Sequence, residues 1–181
     1  MSQKWVALVG SLREDSYNRA LYGAFRRLAP NDVEWREARI DCLPFYNPDI
    51  ASTSAIRDFW ELMRWSDGVV FFTPDYNGSI PAVLKNAIDW ASRDPVGSAL
   101  SGKPAAVLGA SPGLFGTLRG QLHLREILSF IDVEVVRRPE VLVSQAHLKL
   151  QYGQLNDPTA ESLMKQLAEN LYERIAKMAI V

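Results

Sequence analysis

Continuous apolar runs alternate along the chain with segments whose apolar positions recur every three or four residues. Trp5 to Val9 is an unbroken apolar run that stops at Gly10, the pattern of a parallel strand buried on both faces. From Asn18 to Leu28 the residues Leu21, Phe25 and Leu28 share one stripe, which predicts a helix. Val33 to Ile40 alternates apolar and charged residues, as a strand nearer a sheet edge does, and Asp41 to Ser52 is a proline-containing loop. Ile56, Phe59, Trp60 and Met63 then stand at i, i+3, i+4 and i+7, an amphipathic helix. Gly68 to Phe72 predicts a second buried strand. Pro81 opens a helix, where a missing N–H is tolerated, and Val83, Leu84, Ala87, Ile88 and Ala91 follow. Ala105 to Leu108 predicts a strand ending at Gly109, and Leu124, Ile127, Leu128 and Ile131 mark the next helix. Val133 to Val136, together with Val141 to Val143, supply the last strand region. Asp157 and Pro158 read as the cap and first turn of a final helix with Leu163, Leu167, Leu171 and Ile175 on its stripe.

With no internal repeat and no long linker, residues 1–181 read as one domain. Strands that alternate with helices predict an α/β fold with a mostly parallel sheet covered on both faces. Ligands of such sheets bind at the carboxyl ends of the strands, near the point where strand order reverses. A chain of this length buries roughly 70% of its unfolded surface, enough to hold a core without disulfides or metal. The net charge of −1 and pI of about 6.1 give no basic excess for nucleic acid or an anionic membrane. An anionic ligand must therefore be held by local geometry. The single cysteine, Cys42, excludes an intramolecular disulfide and fits a reducing, cytoplasmic compartment. With only His123, His147 and Cys42 as soft ligands, no zinc site is expected. No apolar stretch is long enough to span a bilayer, and the first residues lack the pattern of a signal peptide.

Three strand ends carry the candidate chemistry. The first leads into Gly10-Ser11-Leu12-Arg13-Glu14-Asp15-Ser16-Tyr17-Asn18, just before a helix. Ser11, Ser16 and Asn18 offer neutral donors and Arg13 a fixed charge, beside the unpaired N–H groups and positive dipole end of the helix. That set suits a terminal phosphate; it also suits a polar turn with Asp15 or Ser16 as helix cap. The third strand leads into Thr73-Pro74-Asp75-Tyr76-Asn77-Gly78-Ser79-Ile80-Pro81. Asn-Gly commonly marks a hairpin, but the helical periodicity that follows makes this a strand-to-helix loop. Its amides and single ring suit a flat heteroaromatic ligand. The fourth leads into Gly109-Ala110-Ser111-Pro112-Gly113-Leu114-Phe115-Gly116, whose glycines admit close approach of a ligand. Each loop taken alone reads equally as a turn; their convergence on one sheet edge is what points to a site.

Two look-alike motifs fail on chemistry. Gly109 to Gly113 matches the G-x-S-x-G nucleophile elbow, but the residue after Ser111 is Pro112, which has no N–H for an oxyanion hole. Gly97 to Lys103 resembles a phosphate-binding P-loop, yet Pro104 replaces the magnesium-binding hydroxyl and the segment precedes its strand. No G-x-G-x-x-G follows the first strand, so a dinucleotide site of the Rossmann type is not expected. His123 reads as structural and His147 as solvent-facing. Lys85 and Asp89, four apart on a helix, read as an ion pair or an interface contact.

Taken in order, Gly10-Ser11-Leu12-Arg13 with Ser16 and Asn18, then Pro74-Asp75-Tyr76-Asn77, then Leu84-Lys85-Asn86-Ala87-Ile88-Asp89-Trp90 resemble the NAD(P)H-dependent FMN reductases, over nearly the whole chain. The branch with quinone and chromate reductases is the most similar. The resemblance implies a flavodoxin-like, doubly wound five-stranded parallel sheet in the order 2-1-3-4-5. It implies FMN as cofactor, NADPH or NADH as co-substrate, a small-molecule electron acceptor, and a homodimer or homotetramer. Ser11, Arg13, Ser16 and Asn18 would hold the FMN phosphate. Pro74, Asp75, Tyr76, Asn77, Gly78 and Ser79 would frame the isoalloxazine, and Ser111 and Gly113 would close its other side. Backbone N–H groups of Tyr76 to Ser79 would stabilise the reduced ring, and no catalytic acid or base is implied. The family commonly has glutamate where this chain has Asp75, so backbone contacts there carry over and side-chain contacts do not. The competing reading is a flavodoxin-like electron carrier without nicotinamide activity; carriers commonly have a strongly acidic surface, which this near-neutral chain lacks.

Overall fold

The computed structural model describes residues 2–179. Strand β1 (Gln3–Val9) lies at the centre of the sheet, between β2 (Val33–Glu37) and β3 (Gly68–Phe72), with β4 (Pro104–Ala110) beyond β3. All these pairs are parallel. The order β2-β1-β3-β4-β5 is the expected 2-1-3-4-5. The fifth position is shared by two short strands, β5 (Glu134–Val135) beside Pro104 and Ala105, and β6 (Val141–Val143) beside Leu108 to Ala110. Between them runs Val136 to Glu140, where Pro139 has no N–H to give to a ladder. β2 ends at Glu37, three residues short of the alternating pattern, and Ile40–Cys42 turns as a short 3-10 segment.

Alternate strand residues face opposite layers. Val6, Leu8, Val69, Phe71, Ala105 and Val107 meet α2 (Ser54–Trp65), α3 (Ala82–Ala91) and α4 (Leu118–Phe130). Trp5, Ala7, Val70, Phe72, Ala106 and Leu108 meet α1 (Tyr17–Leu28) and α6 (Pro158–Met178). Three helices start where a side chain supplies an acceptor to a first-turn N–H. Ser16 caps α1, Thr53 caps α2 and Asp157 caps α6, with Pro158 in its first turn. Pro81 stands at the cap position of α3, where its absent N–H costs nothing.

Two features were not visible in the periodicity. Ala146–Lys149 forms a one-turn helix α5, so His147 lies on helix and not in a loop, though exposed as expected. A small antiparallel hairpin follows, β7 (Leu150–Gln151) with β8 (Gln154–Leu155). No helix among the described residues is long and apolar enough to cross a membrane, and they contain no cluster of side chains suited to a metal ion.

Candidate functional site

β1, β3 and β4 deliver their three loops to one rim. Their close approach depends on Gly109 near the end of β4: a Cβ there would stand 2.1 Å from the Thr73 carbonyl and 2.5 Å from Thr117 Oγ1. A second tie is Asn18, 2% exposed in the first turn of α1. Its Nδ2 donates to the Ala110 carbonyl at 3.0 Å, and its Oδ1 accepts from the Ala110 N–H at 2.9 Å. The amide thus fastens α1 to the end of β4 and keeps one Nδ2 hydrogen for a ligand.

A hollow of about 70 Å³ results, lined by Ser11, Arg13, Ser16, Asn18, Pro74, Asp75, Tyr76 and Ser111 among others. Several of its donors are uncommitted. Arg13 is exposed and forms no ion pair among the described residues. Ser16 Oγ accepts from the Arg19 N–H at 3.3 Å as the α1 cap, so its own hydrogen is free to donate. The N–H groups of Tyr17 and Asn18 open α1, where no helix carbonyl lies upstream to receive them. The arrangement fits a phosphate: several free donors, one guanidinium and a helix N-terminus meet in one place.

The β3 loop is more tightly organised than its sequence suggests. Asn77 and Gly78 both have positive φ, 55° and 77°. Tyr76 and Ser79 exchange backbone hydrogen bonds of 2.9 and 3.1 Å. The Asn-Gly pair therefore makes a hairpin-type tight turn inside a strand-to-helix connection. The carboxylate of Asp75 accepts from the Gly78 N–H at 2.9 Å and from the Gly120 N–H in the first turn of α4 at 3.0 Å. Ser79 Oγ is 2.7 Å from Nδ1 of His123 on α4. These contacts correct the expectation that amides of Tyr76 to Ser79 face the ligand: three are consumed within the protein, and the Asn77 N–H is the one without an acceptor among the described residues. They also show that Asp75, though shorter than glutamate, reaches a neighbouring element.

The β4 loop is braced from the side opposite the hollow. Ser111 N–H donates to the Val143 carbonyl at 3.0 Å, Gln145 N–H to Gly113, and Ala146 N–H to Ser111. Ser111 Oγ accepts from the Gly113 N–H at 3.2 Å, and neither histidine bonds to it among the described residues. A second hollow of about 420 Å³ adjoins the first through Asp75 and Ser111 and continues past Gly78, Gly113, Leu114, Phe115 and Arg119. Two larger depressions lie elsewhere, one of about 730 Å³ by Pro104 at the amino-terminal end of β4 and one of about 700 Å³ along β5, from Val133 to Arg137. Neither lies at the rim formed by the carboxyl ends of β1, β3 and β4, so the site is assigned to that rim.

The remaining motif residues support the site from behind. Asn86 Oδ1 accepts from the Tyr46 N–H at 2.7 Å, Asn86 Nδ2 donates to the Pro44 carbonyl at 2.9 Å, and Trp90 Nε1 reaches the same carbonyl at 2.8 Å. They pin the Asp41 to Ser52 loop onto α3. Lys85 and Asp89 form the expected ion pair at 2.7 Å. Lys103, in the segment that resembles a P-loop, has another task. Its ammonium donates to the carbonyls of Met63 and Ser66, both at 2.6 Å, closing the C-terminal end of α2. Burial lowers its pKa to about 8.

Residues 3–148 match the NADPH-dependent FMN reductase family. An NAD(P)H-dependent FMN reductase of Pseudomonas aeruginosa is 44% identical over 172 residues, covering 93% of this chain and 92% of that protein. A quinone reductase of Escherichia coli K12 is 38% identical, over 92% of this chain and 94% of its own. Among solved structures, a flavoenzyme NAD(P)H:acceptor oxidoreductase from Paracoccus denitrificans superposes with a TM-score of 0.89 at 32% identity, covering 97% of this chain and 98% of that one.

Proposed function

Because the chain belongs to the NADPH-dependent FMN reductase family, we propose that it is an FMN-dependent oxidoreductase carrying two electrons from NADPH or NADH to a small acceptor. Quinones and flavins are the acceptor classes, with chromate, azo and nitro compounds as further candidates. One observation carries the reading: the free donors of Ser11, Arg13, Ser16 and the α1 N-terminus converge on one hollow beside the Asp75 to Ser79 turn.

Ser11, Arg13, Ser16 and Asn18 hold the phosphate of FMN. Pro74, Asp75, Tyr76, Asn77, Gly78 and Ser79 frame the ring, and Ser111 and Gly113 close the far side. Bound FMN supplies the redox chemistry: NAD(P)H gives up a hydride to become NAD(P)+, and a quinone gains that hydride plus a solvent proton to become a hydroquinone. The Asn77 N–H is the donor left free to meet charge that develops on the ligand. Asp75 fixes the turn that presents it. No side chain here is assigned a proton-transfer role.

Residues 1–181 act as one domain in the cytoplasm, where a lone exposed thiol stays reduced. Leu122 and Phe130, 55% and 90% exposed on α4, are the surface we assign to pairing of copies into a homodimer or homotetramer. Light scattering of the purified protein reads the assembly directly. Anaerobic mixing of the FMN-loaded protein with NADPH, then NADH, tests the function. Rapid loss of flavin absorbance is the expected result, and flavin that stays oxidised with both donors would mean an electron carrier instead.

A further inference from the structure

We infer that the larger hollow selects flat aromatic acceptors that carry a negative charge, and that Arg119 is the selecting residue. The inference rests on the flavin reading above and names the acceptor class of that same rim.

The hollow measures about 420 Å³, and four of its lining residues, Asp75, Gly78, Ser111 and Gly113, are those assigned to the flavin ring, so the ring would fill its inner part. It joins the phosphate hollow through Asp75 and Ser111, so an acceptor stacked on the ring would lie at its outer part, by Leu114, Phe115 and Arg119. One wall is apolar: Leu114 and Phe115 are 75% and 78% exposed, and a ring laid on them removes that surface from water.

Two charged side chains line the space, and they differ in what they have left to offer. Each oxygen of Asp75 is already bonded to a backbone N–H, one from Gly78 and one from Gly120 at the start of α4. That placement at a helix N-terminus offsets the carboxylate charge. Arg119 forms neither a hydrogen bond nor an ion pair among the described residues. Its Cδ lies 3.6 Å from where a Cβ of residue 78 would stand, so the stem crosses the tight turn at Gly78. A planar guanidinium with five free donors beside an apolar wall suits an aromatic ring bearing an ionised oxygen or a sulfonate.

The test uses two probes on wild type, Arg119→Gln and Arg119→Lys. Naphthalene-2-sulfonate, which is redox-inert, reports binding to the oxidised FMN-loaded protein through fluorescence. Its affinity is expected to fall by roughly 10-fold or more in Arg119→Gln, and by less in Arg119→Lys. The second readout is the ratio of kcat/KM for 1,4-naphthoquinone-2-sulfonate to that for 1,4-naphthoquinone. That ratio should fall about tenfold in Arg119→Gln, and comparing ratios cancels the difference in quinone potential. A ratio within twofold of wild type overturns the inference. So does an Arg119→Gln protein that loses affinity for NADPH and keeps it for the sulfonate. Failure of the flavin reading shows differently: wild type would bind no FMN and reduce neither quinone.

Discussion

The carboxylate of Asp75 reaches the N–H of Gly120 across a gap that a β-carbon would obstruct. A Cβ at position 120 would stand 3.2 Å from both the Pro74 and Ser79 carbonyls and 3.4 Å from Asp75 Cα. Helix α4 therefore lies directly against the β3 loop, at a spacing matched to a short carboxylate. Asp75→Glu adds a methylene to a carboxylate whose two oxygens are already placed on the Gly78 and Gly120 N–H groups.

The two positions should act as a coupled pair. Asp75→Ala leaves two partly buried N–H groups without acceptors, at a cost of about 1–3 kcal/mol each. Asp75→Glu and Gly120→Ala should each destabilise the fold and weaken FMN binding. The double variant should recover part of the summed loss, with a coupling of about 0.5–3 kcal/mol. Denaturant unfolding and FMN titration of the four proteins check this. Strict additivity would show that the two residues do not sense each other.

Asn18 makes a comparable tie between α1 and β4. Asn18→Ala strands the Ala110 N–H and carbonyl, both buried, and should cost at least about 1–3 kcal/mol. Asn18→Asp keeps an acceptor for the N–H but loses the donor to the carbonyl, so it should not restore stability. A shift in urea midpoint at constant slope is the expected signature.

Much of this was legible in the chain. The runs Trp5–Val9 and Gly68–Phe72 are so uniformly apolar that no element but a strand buried on both faces suits them, and each hands its loop to the same rim. The polar residues after Gly10 pointed to a cluster of donors before a helix, and the structure brings Ser11, Arg13, Ser16 and Asn18 to one hollow, with Ser16 also capping α1. The Asp75–Gly120 contact was not legible, since it joins positions 45 apart in the chain through a backbone group that any residue carries. The split of the last strand was hidden because β5 has only two residues, too few to show alternation. Asn77-Gly78 carried its hairpin signal correctly, but as a local turn and not as the joint between two strands of the sheet.

Lys103 ties stability to pH. Its folded pKa, lowered to about 8 by burial, lies below the ordinary value of 10.5. Between those values the unfolded chain holds a proton that the folded protein has released, so this group alone makes stability rise with pH from about 8 to 10.5. Below pH 8 the cost of a buried ammonium is present in full, opposed by its bonds to Met63 and Ser66. Urea midpoints of wild type should show this upward contribution, and Lys103→Met should lack it. Equal pH profiles for the two would contradict the assignment.

The most direct test of the site is FMN titration of the apoprotein, followed by flavin fluorescence, for wild type and Arg13→Ala. Loss of one charge-assisted hydrogen bond corresponds to about 1.5–3 kcal/mol, or roughly 10- to 150-fold in affinity. Saturable binding of one FMN per chain, weakened by that factor in Arg13→Ala, is the expected result. Protein that binds no FMN, or an Arg13→Ala dissociation constant equal to wild type, would contradict the placement of the phosphate in the Ser11 to Asn18 cradle.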